Sequence, residues 1–384
     1  MKAKAIKAAV VAALFTVGIT GPGLAQATGV TEDKVVIGAF LPLQSGLAAG
    51  AVQVRDGTNA YLRHVNENGG VNGRKIEWLV ENDSYNPQQS VAAARSLVER
   101  DGIFAFVSTL GTVTNLAVLP YIKQRQVPLI GPIVGSPTLL EPEAKEVFGI
   151  LPTGVERGRA LARYILDDLK AEKIAILYQN DDFGKDPYDG LVEVLKEAGK
   201  EIVAEASYEP NDIDMSSQVA RLRSAEPDVV VLAGIPKPVA LFLKTAEAQG
   251  WAPTWVGPSL LADPLFAELG GSAVEGMHIV FDVALPNMPE AQATNEILAK
   301  YAPNTRPGYF AYNGVIGAML FVEALKRIEG EPTRETLIEA MESIKDFKSG
   351  IFPPITYSEE DHAGVDKFGV AIWKGGKLEI IKSW

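Results

Sequence analysis

From Thr31 onward, short apolar runs alternate with amphipathic stretches of helical length, which restricts the chain to β-α-β units built around parallel sheets. The first strand is expected over Val35 to Leu41. A helix over Gln53 to Asn68 follows, ended by Asn68-Gly69-Gly70, and Val71-Asn72-Gly73 turns the chain into a strand over Lys75 to Val80. A helix over Pro87 to Arg100, a strand over Phe104 to Ser108, a helix over Thr114 to Gln124 and a strand over Pro128 to Gly131 complete one doubly wound lobe.

The rhythm starts again near Gly154. Helices are expected over Val155 to Leu169, Tyr188 to Ala198, Met215 to Ser224 and Val239 to Gln249. Strands are expected over Lys173 to Tyr178, Ile202 to Tyr208, Val229 to Ala233, Trp255 to Gly257 and Met277 to Phe281. Helices over Pro289 to Tyr301, Tyr309 to Ile328 and Arg334 to Ile344 break the alternation. Ile355-Thr356-Tyr357 reads as a strand, and Gly369 to Trp373 with Leu378 to Ile381 as a hairpin. The fold class is α/β: two Rossmann-like, doubly wound parallel-sheet lobes of similar plan. If the tail returns to the second lobe, the chain crosses near Pro152, Val283 and Ile351. Lobe 1 then holds residues 28–152 and 283–350, and lobe 2 holds 153–282 and 351–384, joined by a three-strand hinge that suits a closing cleft.

Residues 1–27 read as an export signal. Lys2, Lys4 and Lys7 precede an apolar run from Ala8 to Ile19, and Ala25-Gln26-Ala27 offers a small-x-small cleavage site near Ala27. The run is too short to span a hydrocarbon core of about 30 Å. With no cysteine there is no disulfide framework, thiolate metal site, thiol nucleophile or lipidated cleavage point. A free periplasmic protein of a two-membrane bacterium is expected. Loss of the signal removes three lysines and no acids, so the net charge of −12 becomes −15, which disfavours nucleic acid as a partner. The remaining 357 residues exceed one core, and 47% apolar composition is enough for two.

Ligands of open α/β sheets bind beyond the carboxyl ends of strands. There the chain carries Thr109-Leu110-Gly111-Thr112-Val113-Thr114-Asn115, hydroxyls and amides at a helix start that suit an anion. The same position lets Thr112 or Thr114 simply cap that helix. Gln44-Ser45-Gly46 and Pro132-Ile133-Val134-Gly135-Ser136 face the same cleft, opposed in the second lobe by Asp181-Asp182-Phe183-Gly184, Ile235-Pro236 and Pro258-Ser259. Asp181-Asp182 reads as a solvated turn in preference to a ligand contact. Hydroxyls and amides facing apolar side chains describe a pocket for a small amphipathic molecule.

An enzyme would need an activated nucleophile, a metal cluster or an acid–base pair. His64, His278 and His362 are scattered, none in a metal-ligand spacing, and Asp361-His362 reads as a polar turn rather than a dyad. No phosphate-cradling Gly-x-x-x-x-Gly-Lys loop occurs. No catalytic residue, metal or cofactor is expected.

Several phrases together resemble the periplasmic leucine/isoleucine/valine-binding proteins, the branched-chain amino acid receptors of ABC importers. They are Val35-Val36-Ile37-Gly38 with Leu41-Pro42-Leu43-Gln44-Ser45-Gly46, Asn68-Gly69-Gly70-Val71-Asn72-Gly73-Arg74, and Leu110-Gly111-Thr112 through Asn115-Leu116-Ala117-Val118. Tyr178 to Gly184, Gly250-Trp251, Gly257-Pro258 and Glu275-Gly276-Met277 extend the match over nearly the whole mature chain. The resemblance implies a type I periplasmic binding fold and a monomer that carries a small molecule to an inner-membrane ABC permease. It implies a ligand carboxylate held by Thr109 to Thr112 (Thr109, Leu110, Gly111, Thr112) and by Val134 to Ser136 (Val134, Gly135, Ser136), with Ser45 nearby. Phe183 matches the aromatic residue that closes over the ligand, and Ile235 replaces a tyrosine. Ser259 stands where amino-acid receptors place an acid for the ligand's ammonium. Serine cannot neutralise that charge, so Asp181 or Asp182 takes over or the ligand lacks an α-amino group. Aromatic and other non-amino-acid carboxylates, short amides, and a sensing rather than a transport role therefore stand beside the amino-acid reading.

Overall fold

The computed structural model describes residues 28–141 and 143–383. The signal and its cleavage site lie outside the described residues.

The chain forms two sheets. The first holds β1 (Lys34–Leu41), β2 (Lys75–Asn82), β3 (Phe106–Val107), β4 (Leu129–Ile130) and β5 (Val147–Phe148), all parallel, in the order β2-β1-β3-β4-β5. Every residue of β1 after Lys34 is buried, as a strand covered on both faces requires. Lys34 to Leu41 runs in register with Lys75 to Asn82. β5 was not expected: at two residues it carries no readable period.

The second sheet holds β6 (Ile174–Gln179), β7 (Ile202–Tyr208), β8 (Val229–Ala233), β9 (Thr254–Pro258), β10 (His278–Phe281), β11 (Gly369–Lys374) and β12 (Lys377–Lys382), in the order β7-β6-β8-β9-β10-β11-β12. β7 to β10 are parallel across β6, β8 and β9, whereas β11 and β12 join antiparallel. The sheet is mixed rather than wholly parallel: β11 enters antiparallel to β10, and the short Gly375-Gly376 turn returns the chain as β12 without a crossover helix.

Helices cover these sheets: α1 (Ala48–Glu67), α2 (Pro87–Arg95), α3 (Thr112–Arg125), α4 (Gly154–Tyr164), α5 (Asp182–Glu197), α6 (Ser216–Arg223), α7 (Pro236–Ala248), α8 (Pro264–Gly270), α9 (Gln292–Tyr301), α10 (Tyr309–Arg327) and α11 (Arg334–Glu342). α10 packs on α1 and reaches β3 and β4, so the late helices cover the first sheet. A capping box of Thr153 and Glu156 starts α4. α4 and α5 cross closely because glycines meet backbone there. A Cβ at Gly158 would stand 2.0 Å from the Pro187 carbonyl oxygen, and one at Gly190 2.0 Å from that of Val155.

Residues 351–364 stay with the first lobe instead of leaving it at Ile351. Ile355 bridges Phe347, Tyr357 donates from Oη to the Gly149 carbonyl at 2.6 Å, and the Gly149 N–H donates to the His362 carbonyl at 2.9 Å. Burial of Phe352, Ile355 and Tyr357 holds the segment there. The strand expected over Ile355 to Tyr357 reduces to that one bridge. The second sheet is re-entered at Gly369. No helix among the described residues is long and apolar enough to cross a membrane.

Candidate functional site

In each sheet the order reverses beside one strand: β1 lies between β2 and β3, and β6 between β7 and β8. Crevices open at the carboxyl ends of such strands. The two crevices face each other, with a cavity between them. Leu47, Tyr85, Leu110, Ile133 and Phe310 line it from the first lobe, Phe183, Ile235 and Leu260 from the second. A contiguous space runs toward Asp186, Pro187 and Pro258, sharing Thr112, Gly135, Arg157, Phe183 and Leu260.

Of the expected residues, Leu110, Gly111, Thr112, Val134, Gly135, Phe183 and Ile235 meet on this cavity. Leu110 pairs with Ile133 in a bridge that extends the first sheet and aligns the two loops. Thr112 does not cap α3: Gly111 holds the cap position without a side-chain bond, and the Thr112 side chain borders the cavity. Thr114 turns inward and donates to the Gly111 carbonyl at 3.0 Å. Ser45 lines an outer opening with Ser84, Tyr85 and Asn211, its hydroxyl donating to the Pro42 carbonyl at 3.1 Å.

Thr109, Ser136 and Ser259 are not brought onto the cavity wall, because each is buried against protein. Thr109 donates to Asn115 Oδ1 at 2.7 Å. Ser136 lies beside Asp186 and pulls its carboxyl down, against a larger effect of burial that holds that acid at about 6. Ser259 accepts the Asp282 N–H at 3.3 Å. The solvated-turn reading suits Asp182, which is exposed, but not Asp181. Asp181 Oδ2 accepts from Gln179 Nε2 at 2.6 Å and from Tyr85 Oη at 3.2 Å, linking the lobes across the cleft. Burial raises the Asp181 carboxyl, with the hydrogen bonds from Gln179, Gly184 and Tyr85 opposing.

The cleft also holds residues that the sequence reading missed. Arg157 Nε donates to Asp282 Oδ2 at 2.7 Å, and this ion pair is buried on both sides. Burial opposes the arginine's charge, but Asp282 and the nearby Tyr309 phenol more than offset it, and the group stays protonated. Its signal was available, since Gly154, Arg157, Gly158 and Leu161 share the buried face of α4 and a charge on such a face asks for a partner. Tyr85 follows β2 at the same kind of strand end as the other loops, with φ of 58°. The histidines are engaged elsewhere. His278 Nδ1 bonds Tyr164 Oη at 2.6 Å, and His362 Nδ1 faces the Val147 carbonyl at 3.0 Å, stacked on Phe148. No group of three or more His, Asp or Glu able to hold a metal occurs among the described residues.

A family model described as periplasmic binding protein matches residues 34–377. The chain belongs to the periplasmic binding protein family. It is 24% identical over 344 residues to a Leu/Ile/Val-binding protein homolog of Brucella melitensis, covering 90% of this chain and 92% of that one. Among solved structures, it resembles a branched-chain amino acid ABC transporter protein of Thermus thermophilus with bound valine. The TM-score is 0.84 at 23% identity, with coverage of 92% and 97%. A fatty acid ABC transporter substrate-binding protein of Thermomonospora curvata matches with a TM-score of 0.83 and 25% identity, covering 93% of each chain. The chain shares the two-lobed α/β fold of these structures, and the role is one of binding.

Proposed function

We propose that the protein is an exported, monomeric solute receptor that traps a small hydrophobic amino acid or related apolar carboxylate between its lobes. It then presents the closed form to an inner-membrane ABC permease. The observation that carries this reading is the cavity lined by both lobes, with Tyr85 of one lobe bonded to Asp181 of the other. A solute touching both walls favours the closed state, because its contacts to the second wall exist only there. No bond is made or broken in this account. The Brucella relative, named for leucine, isoleucine and valine, supports the amino-acid class.

A second reading, a receptor for carboxylates that lack an α-amino group, is favoured by the charged groups of the cleft. Asp186 is the single carboxylate on the walls of the two inner cavities, and burial with its acidic neighbours Asp182 and Asp189 holds it at about 6. Arg157 stands on the same walls, so a solute's carboxylate meets a cation there. The Thermomonospora neighbour, a fatty acid receptor by name, points the same way.

A thermal-shift screen of the signal-free protein tests the receptor reading, using branched-chain amino acids, aromatic and aliphatic carboxylates, and short amides. A solute at 100 times its Kd adds about 2.7 kcal/mol of stability. Stabilisation by one class is the expected result, and a flat response to all of them contradicts the reading.

A further inference from the structure

Arg157 is 7% exposed, and its guanidinium borders both inner cavities. Its bond to Asp282 is made through Nε alone. Nη2 is enclosed with no hydrogen bond of good geometry, the Tyr309 hydroxyl being the polar group beside the guanidinium, and Asp282 Oδ1 is likewise unpaired. Native proteins rarely leave a buried guanidinium N–H unpaired, since its loss of water is not repaid. Nη1 lies toward Gly135, where a Cβ would stand 3.4 Å from it. The guanidinium edge carrying Nη1 and Nη2 therefore belongs to the cleft and has the fork geometry that matches two carboxylate oxygens.

The groups around it suit an incoming anion. Tyr309 is kept protonated by burial, which pushes its phenol up to about 12 against the opposing pull of Arg157. The Thr112 side chain stands on the same walls at the start of α3, where the helix dipole favours negative charge. Leu47, Leu110, Ile133, Phe183 and Leu260 supply apolar wall, while Tyr85 and, on the contiguous space, the carboxyl of Asp186 are the other polar groups.

The geometry points to Arg157 as the anchor for a carboxylate of the bound solute, gripped from the second lobe through Nη1 and Nη2 with its apolar body against the first. This assignment rests on the receptor reading above and narrows it to acids.

The test is calorimetry on the signal-free protein with matched probes: 4-methylpentanoate, octanoate and benzoate, their amides and alcohols, and leucine. At least one acid is expected to bind, roughly ten- to hundred-fold tighter than its own amide and alcohol, as hydrogen bonds to a charged group allow. In the paired variant Arg157→Gln with Asp282→Asn, which keeps an amide-to-amide bond in place of the ion pair, that preference disappears. Arg157→Lys retains part of it. Melting of the unliganded variants reports folding, and if the paired variant does not fold, the acid-to-amide ratio of the wild type decides. Neutral probes that bind as tightly as acids, or a folded paired variant that keeps the preference, overturn the anchor and leave the receptor reading intact. Binding of none of the probes overturns both.

Discussion

Tyr85 and Asp181 stand on opposite lobes and meet through a 3.2 Å hydrogen bond across the cleft mouth. Asp181 keeps a second donor in Gln179 at 2.6 Å, so removing the tyrosine hydroxyl does not strand the carboxylate. Tyr85→Phe preserves the ring on the cavity wall and deletes only the hydroxyl's bonds across the cleft, the one it donates to Asp181 and the one it accepts from Gln179 Nε2 at 3.4 Å. A net loss of about 0.5–1.5 kcal/mol is expected, read by calorimetry as roughly two- to ten-fold weaker binding with unchanged unliganded melting. Unchanged affinity would show that the bond contributes nothing to closure.

Thr112 and Ser136 separate residues that touch the solute from residues that support the wall. Thr112 borders both inner cavities, whereas Ser136 is buried beside Asp186. Thr112→Ala is expected to weaken binding by about 1 kcal/mol, near five-fold. Ser136→Ala, tested in the same titration, shifts affinity less and moves the pH dependence set by Asp186, because it removes a bond that lowers that acid.

Asp263 is fully buried, its Oδ1 accepting from the Leu265 N–H at 2.9 Å and its Oδ2 from the Phe310 N–H of the first lobe at 3.2 Å. Burial pushes its carboxyl up from 3.8 to about 6, with those bonds opposing, and Asp83 is raised to about 6 for the same reason. An acid raised by folding binds more protons in the native state, so its contribution is complete below about 3.8 and is lost as pH rises through 6. Unfolding free energy is therefore expected to increase as pH falls from 7 to 5. Asp263→Asn should flatten that slope by an amount on the order of 1–3 kcal/mol, measured by denaturant titration across the window. An identical slope in the variant contradicts the assignment.

Gly190 sets the distance between α4, which carries Arg157, and α5, which carries Phe183 and Asp186. A Cβ there would stand 2.0 Å from the Val155 carbonyl oxygen, so the helices must separate. Gly190→Ala is expected to cost about 1–3 kcal/mol of stability and to weaken binding as well, since both site helices move. Chemical denaturation and calorimetry on the same preparation check the two effects.

Much of this architecture is legible without coordinates because its signals are local. Val35 to Leu41 and Val229 to Ala233 are continuous apolar runs, and both are buried strands. The strand-end loops at Leu110 to Thr112 and Val134-Gly135 reach the cavity because the carboxyl-end rule needs only strand direction. What escaped depends on distant partners. β5 has two residues and takes its identity from pairing with β4. Residues 351–364 look like a return to the second lobe until Tyr357 is seen bonded to Gly149. Ser259 and Thr109 look exposed in a polar loop yet spend their hydroxyls on Asp282 and Asn115. The buried face of α4 marks Arg157 as needing a partner, but that partner, Asp282, lies 125 residues away.

Small-angle X-ray scattering of the signal-free protein, alone and with a saturating solute from the screen, tests the central claim most directly. A solute held between two lobes that close over it predicts a smaller radius of gyration for the bound form, reversed by Tyr85→Phe at subsaturating solute. Saturable binding with an unchanged scattering profile, from an unliganded form already as compact as the bound one, would contradict closure as the event that the solute drives.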